Sequence, residues 1–190
     1  MIEIPILEGN IIRLRPMEIE KDKYSYFKVS QDEKMHEWTG NTVPKTVDEI
    51  EDLLNIYKKV LYVWMIEEKS SNEVIGMMRL SFPEKNDGKL IAGDSQRLHS
   101  NYWRKGYMKE ARELMYDYAF NTLGVQVLIA DALRDNINSC KSLESVGYEL
   151  FDTTEELFKK KEKILKRNYY KLAREKWLEN QFKNNYIIKL

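Results

Sequence analysis

Between Tyr107 and Gly147 the chain reads as helix, strand, helix, and that alternation limits the folds open to it. Ala111, Leu114, Met115, Tyr118 and Ala119 recur at steps of three and four over Tyr107–Asn121, the spacing of one apolar face on a helix. The run "VQVLIADA" is short, apolar and rich in β-branched residues, as a buried strand requires. A second helix follows in "NINSCKSLESVG" and ends at Gly147. Helices alternating with buried strands imply a mixed α/β sheet.

The upstream half supplies the other strands. "NIIRLRPM" alternates apolar and basic residues and stops at Pro16, which suits a first strand; "EIEKDKYSYFKVS" reads as a short helix. In "VDEIEDLLNIYKKV", Val47, Ile50, Leu54 and Tyr57 fall at helical spacing, with Asp48, Glu49, Glu51 and Asp52 near the N-terminal end that favours them. "LYVWMIEE" and "VIGMMRLSF" are strands joined by the polar turn "KSSNE". Pro83 and the turn residues "EKNDG" stop the second and lead by a hairpin into "KLIAGDSQRL". A bulge or a close backbone approach is expected there at Gly93.

Composition excludes several classes. With 190 residues, 43% hydrophobic and 33% charged, the chain is long enough to bury a core in one domain and too apolar for general disorder. Its 31 basic and 31 acidic residues cancel, so no broad field draws it to nucleic acid or to an anionic membrane. Any anion site must be local. Cys140 is the only cysteine, and "MIEIPILEGN" lacks the pattern of a secretory leader. With no apolar run near ~18 residues, the cytoplasm is the expected location.

A local anion site is legible in "NYWRKGYMKEAREL". A helix start exposes unpaired N–H groups at the positive end of a dipole, and a glycine just before it lets the backbone come close to a ligand. Arg104, Lys105 and Gly106 stand at that place.

These residues carry a resemblance. "YWRKGYMKEA", Tyr102–Ala111, is similar to the acyl-CoA loop of the GNAT-superfamily N-acyltransferases, pattern Gln/Arg-x-x-Gly-x-Gly/Ala. It most resembles the ribosomal-protein alanine N-acetyltransferase (RimJ/RimL-like) branch, where the loop commonly reads Tyr-Trp-Gly-Lys-Gly-Tyr-Ala-x-Glu-Ala. A second block of that branch is matched by Asn136, Ser139, Leu143, Glu144, Gly147 and Tyr148. The likeness runs from about Ile11 to Trp177, leaving 178–190 as a C-terminal extension of a single domain covering 1–190. Two positions depart from the pattern, Arg104 where the branch often has glycine and Met108 where glycine or alanine is usual.

The resemblance implies an α/β fold with a mixed, mostly antiparallel sheet of six or seven strands, the fourth and fifth splayed, and about four helices. "YELFDTTEELF" and "KRNYYKLAR" would be its last two strands, with the lysine-rich stretch between them a turn. It implies transfer of an acetyl group from acetyl-CoA to a primary amine, by direct attack through a tetrahedral intermediate. The cofactor pyrophosphate would lie on N–H groups of Trp103, Arg104, Lys105, Gly106, Tyr107 and Met108, with Asn136 beside the pantetheine arm. Ser139 is the matched acid for the leaving thiolate, because the tyrosine many relatives use is replaced by Leu143. An α-amine, pKa about 8, or a lysine, about 10.4, must lose a proton before attack, so a base or a water chain is needed. Asp94, His99 and Glu37 are the candidates for that base, and a backbone N–H near Leu98 or His99 could hold the oxyanion.

Other chemistries find no support in the pattern. His36 and His99 lack the neighbours of a zinc site, no metal is expected, and neither a Walker loop nor a Gly-x-Gly-x-x-Gly fingerprint occurs. "HEWTG" reads as a packing anchor at Trp38, and "FKKKEKILKR" as a solvated hairpin turn rather than an RNA contact. The acceptor is then a peptide N-terminus or a small amine, a ribosomal protein among the possibilities, with no membrane or direct nucleic-acid partner and a monomer or homodimer as the assembly. The competing reading is a CoA-binding module without turnover, serving a sensory or interaction role.

Overall fold

The computed structural model describes residues 3–187, so residues 188–190 of the expected extension lie outside it. The chain divides into two compact units. The first comprises the chain up to Phe82 together with Asp94–Thr122, and the second comprises Pro83–Gly93 and the chain from Leu123 onward.

Unit 1 holds strands β1 (Leu7–Glu8), β2 (Ile12–Pro16), β3 (Leu61–Glu68) and β4 (Glu73–Ser81), and helices α1 (Ile19–Val29), α2 (Glu33–His36), α3 (Val47–Val60) and α4 (Tyr107–Asp117). Unit 2 holds β5 (Glu84–Asn86), β7 (Val127–Leu133), β8 (Glu149–Phe158) and β9 (Lys163–Ala173), with α5 (Ile137–Glu144) and α6 (Arg174–Ile187). Strand β6 (Lys89–Leu98) contributes its first half to unit 2 and its second half to unit 1. In unit 1 the order is β1-β2-β3-β4-β6, antiparallel throughout. In unit 2 it is β5-β6-β7-β9-β8, with β6–β7 parallel and the rest antiparallel.

Among the described residues there are nine strands and six helices, against the six or seven and about four expected. The extra strands are the short β1 and β5. Glu84–Asn86, expected as turn, pairs with Ile91–Lys89, and only Asp87 and Gly88 turn the chain, with φ of 49° and 75°. Two left-handed residues match the twist of a two-residue hairpin. The extra helices are α2 and α6. Gly93 carries no bulge: Ile91–Gly93 pair with Val127–Ile129, and from Asp94 the strand pairs with β4 instead. The expected last two strands are β8 and β9, joined by a 3-10 turn at Lys159–Lys161. Strand β9 ends at Ala173, before the "REKW" that opens α6.

Local chemistry explains the boundaries of α3. The Thr46 hydroxyl accepts from Glu49 N–H, and the Glu49 carboxylate accepts from Lys45 N–H at 3.0 Å, so the helix start is capped in both directions. Ile50 and Leu54 are then buried with Tyr26 and Val29 of α1 against Val63, Met65 and Met77 of the sheet. Each such side chain contributes about 1.5–3 kcal/mol on burial. On the same face Arg15 is fixed by Asp22, 2.9 and 2.7 Å through two nitrogens, and by Glu67 at 2.7 Å. That network ties β2 to α1 and β3. The opposite face carries Ile12, Leu14, Trp64, Ile66, Met78 and Leu80, all fully buried, and α4 packs on its β1–β2 side.

Candidate active site

The loop before α4 is built to leave backbone donors open. Tyr102 N–H and Trp103 N–H close a 3-10 turn on His99 and Ser100, and the first α-helical bond runs from Glu110 N–H to Gly106 C=O at 3.1 Å. Among the described residues the N–H groups from Arg104 to Lys109 make no hydrogen bond. Arg104 and Gly106 are both left-handed, φ 60° and 87°, which curls these donors toward a common side. A side chain at Gly106 would meet nothing within 4 Å, so the space above it is open. Six free donors at a helix start, flanked by Arg104 and Lys105, suit a pyrophosphate. That is the fit a CoA ester needs here. The two departures in the motif are accommodated: Arg104 takes a left-handed backbone, and Met108 sits half-buried in the first helical turn.

Four sets of contacts brace the loop and the helix start. Tyr107 donates its hydroxyl to Glu68, and this bond, with another from Ser71, keeps the Glu68 carboxyl below its usual range while raising the Tyr107 hydroxyl above its own. The Tyr107 ring stands edge-on to Tyr102, centroids 5.5 Å apart, and Trp103 donates its indole N–H to Leu98 C=O at 2.7 Å. Glu110 reaches from the first turn of α4 to accept from Asn10, Ile11 and Ile12 N–H at 2.7, 3.0 and 3.0 Å. Its carboxylate therefore fastens the helix start to the β1–β2 turn. Sequence reasoning passed over Glu110, Glu68 and Tyr116; an acid in the first turn of α4 was a visible signal, but the first of its donors, Asn10 N–H, lies 100 residues away. Replacing Glu110 by alanine strands three donors and should cost about 2 kcal/mol, or about 4–8 °C in Tm. A thermal melt of Glu110→Ala checks this, and an unchanged Tm would remove the clamp from the account.

The proposed base residues lie elsewhere in unit 1. Asp94 is buried on the α4 face of β6 and accepts from the Tyr116 hydroxyl at 2.7 Å. His99 follows β6, and its Nδ1 accepts from Asn101 N–H at 3.2 Å, so the neutral ring carries its proton on Nε2. Asp32 lies 3.9 Å from that Nδ1 and accepts from Ser100 N–H. The His99 N–H is already committed to Ile75 C=O at 3.0 Å, which removes it as an oxyanion donor. His36 is a core residue bonded through Nε2 to Ser30 C=O at 2.8 Å, and Glu37 is exposed at the end of α2. No cluster of three or more His, Cys, Asp or Glu suited to a metal occurs among the described residues.

In unit 2, Asn136 is the N-cap of α5 and its side-chain oxygen accepts from Ser139 N–H at 3.2 Å. The Asn136 amide nitrogen stays available. The Ser139 hydroxyl is half-buried and makes no hydrogen bond among the described residues, so it can donate outward. Gly147, φ 100°, ends the α5 segment in the left-handed conformation the sequence pattern implied.

Comparison with known proteins places these features in a family context. The model of the acetyltransferase (GNAT) domain matches residues 12–149. An uncharacterized N-acetyltransferase of Bacillus subtilis (strain 168), YjdG, is 27% identical over 154 residues, covering 76% of this chain and 90% of its own. Among solved structures, a GCN5-related N-acetyltransferase from Brucella melitensis superposes with a TM-score of 0.81 at 22% identity, over 92% of this chain and 81% of that one. The ribosomal-protein-S5-alanine acetyltransferase from Vibrio fischeri gives 0.74 at 15% identity, over 91% and 98%. At these identities the superpositions speak for the fold.

Proposed function

The chain belongs to the GNAT acetyltransferase family, and on that premise we propose that it transfers the acetyl group of acetyl-CoA to a primary amine within a single acetyltransferase domain. The observation that carries the reading is the run of six unbonded N–H groups from Arg104 to Lys109 around the left-handed Gly106. Acetyl-CoA would supply an activated thioester; the chain supplies its binding and the proton traffic. The N–H groups from Arg104 to Met108 would hold the pyrophosphate, that of Trp103, expected among them, being taken by Ser100 C=O at 3.1 Å, and Asn136 would use its amide nitrogen toward the cofactor. Ser139 is the proposed donor to the departing thiolate. Asp94 and His99 remain the proposed route for the amine proton, His99 by way of Nδ1, the ring nitrogen without a proton, and Asp94 through its bond with Tyr116. The acceptor is a protein α-amine or a small amine. A ribosomal protein is one such acceptor, suggested by the likeness of sequence blocks to that branch and by the Vibrio fischeri neighbour. Among the described residues no helix is long and apolar enough to cross a membrane, and a cytoplasmic site of action is part of the proposal.

The direct test is release of free thiol from acetyl-CoA across a panel of peptide and small amines. Turnover with one acceptor class supports the reading. If CoA raises Tm but no acceptor releases thiol, the chain is a cofactor-binding module and the reading fails. The serine has its own test. Ser139→Ala should lower kcat by about 10- to 100-fold with little change in Tm, since its hydroxyl caps nothing. Asn136→Ala removes the α5 cap and should cost about 1 kcal/mol of stability as well as raise KM for acetyl-CoA. Wild-type kcat in Ser139→Ala would leave the acid to water.

A further inference from the structure

Arg79 of β4 is a buried cation with no anion paired to it among the described residues. It is 8% exposed, its Nε is buried without a hydrogen-bond partner, and among the described residues no carboxylate pairs with its guanidinium. Its guanidinium lies over the Tyr57 ring of α3, 4.5 Å from guanidinium carbon to centroid. The other buried arginine on this face of unit 1, Arg15, is satisfied by acids, Asp22 and Glu67. A cation held out of water over a ring face, with no carboxylate paired to it, lacks the charge that ordinarily compensates it.

The surroundings define what would complete the site. Across the strands Arg79 faces Val63 and Ser95, and Arg97 lies two residues beyond Ser95 on the same face. Arg97 and Arg79 both act on the buried Tyr26 hydroxyl of α1: burial raises its pKa and the two cations partly offset that. The patch thus offers two cations, two tyrosines and a serine between α1, α3 and the sheet. It lies on the face opposite α4, because Asp94, next to Ser95, points to Tyr116 of α4. The cofactor loop at the start of α4 therefore does not use it.

We propose that Arg79 receives a carboxylate of the acceptor substrate, so that the enzyme selects amines that carry an acidic group close by. This rests on the reading of the chain as an amine acetyltransferase. With Nε buried, the terminal nitrogens present two parallel donors, the geometry a planar carboxylate matches through both oxygens. The carboxylate comes either from an acidic side chain near a peptide N-terminus or from a free amino acid.

Two acceptor pairs separate those sources: Asp-Ala-Ala-amide against Asn-Ala-Ala-amide, and glycine against glycinamide. One pair should show at least about a tenfold lower KM for the carboxylate form, and Arg79→Gln should abolish the difference while leaving acetyl-CoA affinity unchanged. The Tm of Arg79→Gln should equal or exceed that of the wild type, since an uncompensated charge has been removed; a purely structural arginine would lower it. Equal KM within both pairs for the wild type overturns the proposal, and that comparison needs no variant to fold. Should no acceptor turn over, calorimetric titration with glutarate decides separately. Binding to the wild type that is lost in Arg79→Gln supports the site, and equal or absent binding in both overturns it, while the acetyl-CoA titration reports on the catalytic reading.

Discussion

Gly106→Val should lower acetyl-CoA affinity by about 100-fold while reducing Tm by only about 2–8 °C. Gly106 holds φ 87°, a region that costs a side-chain-bearing residue about 1–2 kcal/mol and a β-branched one more. No protein atom lies within 4 Å of where its Cβ would stand, so the damage comes from the backbone and from the space a phosphate would occupy rather than from a clash in the core. Relaxing φ would swing the N–H groups of Gly106 and Tyr107 out of the cradle, and each charge-assisted bond lost is worth about 1.5–3 kcal/mol. Calorimetric titration beside a thermal melt measures both effects. Gly106→Asn, which tolerates a left-handed backbone, should lose much less. A folded valine variant with wild-type affinity would move the cofactor away from this loop.

The second large effect concerns stability. Asp22 is fully buried, accepts two bonds from Arg15 at 2.9 and 2.7 Å and a third from Glu18 N–H at 2.7 Å. Asp22→Ala leaves the buried guanidinium with Glu67 as its one paired carboxylate among the described residues and should cost about 3–5 kcal/mol, or about 10–15 °C in Tm. Asp22→Asn keeps the shape and should cost less. Circular dichroism melts of the pair measure the charge contribution. A Tm within about 2 °C of wild type for Asp22→Ala would show that the network adds nothing to stability.

The parts of the molecule governed by short-range patterning were legible from residues alone. Helix α3 begins and ends where Val47 and Val60 implied, because its apolar spacing and its Thr46–Glu49 cap both act within a few residues. The two chain reversals with helical or glycine signals, at Gly106 and Gly147, were readable for the same reason. Strand β5 escaped because Glu84–Asn86 has polar residues that become strand only by pairing with Lys89–Ile91. Helix α6 was masked by the strand-like aromatics Tyr169 and Tyr170 just before it. The bracing of the candidate site was hidden for a different reason. Glu110 meets Asn10, Tyr107 meets Glu68, and Arg79 meets Tyr57, pairs that only tertiary folding brings together. Residue types announce that such groups need partners, but not which ones.

The interleaving of the two units sets an order of assembly during synthesis. Unit 1 has all its segments once Thr122 has been made, whereas Pro83–Gly93 must wait for its neighbour β7. At 5–20 residues per second the stretch from Leu123 to the end of β7 at Leu133 takes about 0.5–2 s to appear. For that interval β5 and the first half of β6 have only each other to pair with, a hairpin marginal in water, with the edge destined for β7 exposed. The hairpin is thus the segment of the nascent chain most open to mispairing. The charged residues Glu84, Lys85, Asp87 and Lys89, clustered around its turn, are the kind that discourage it.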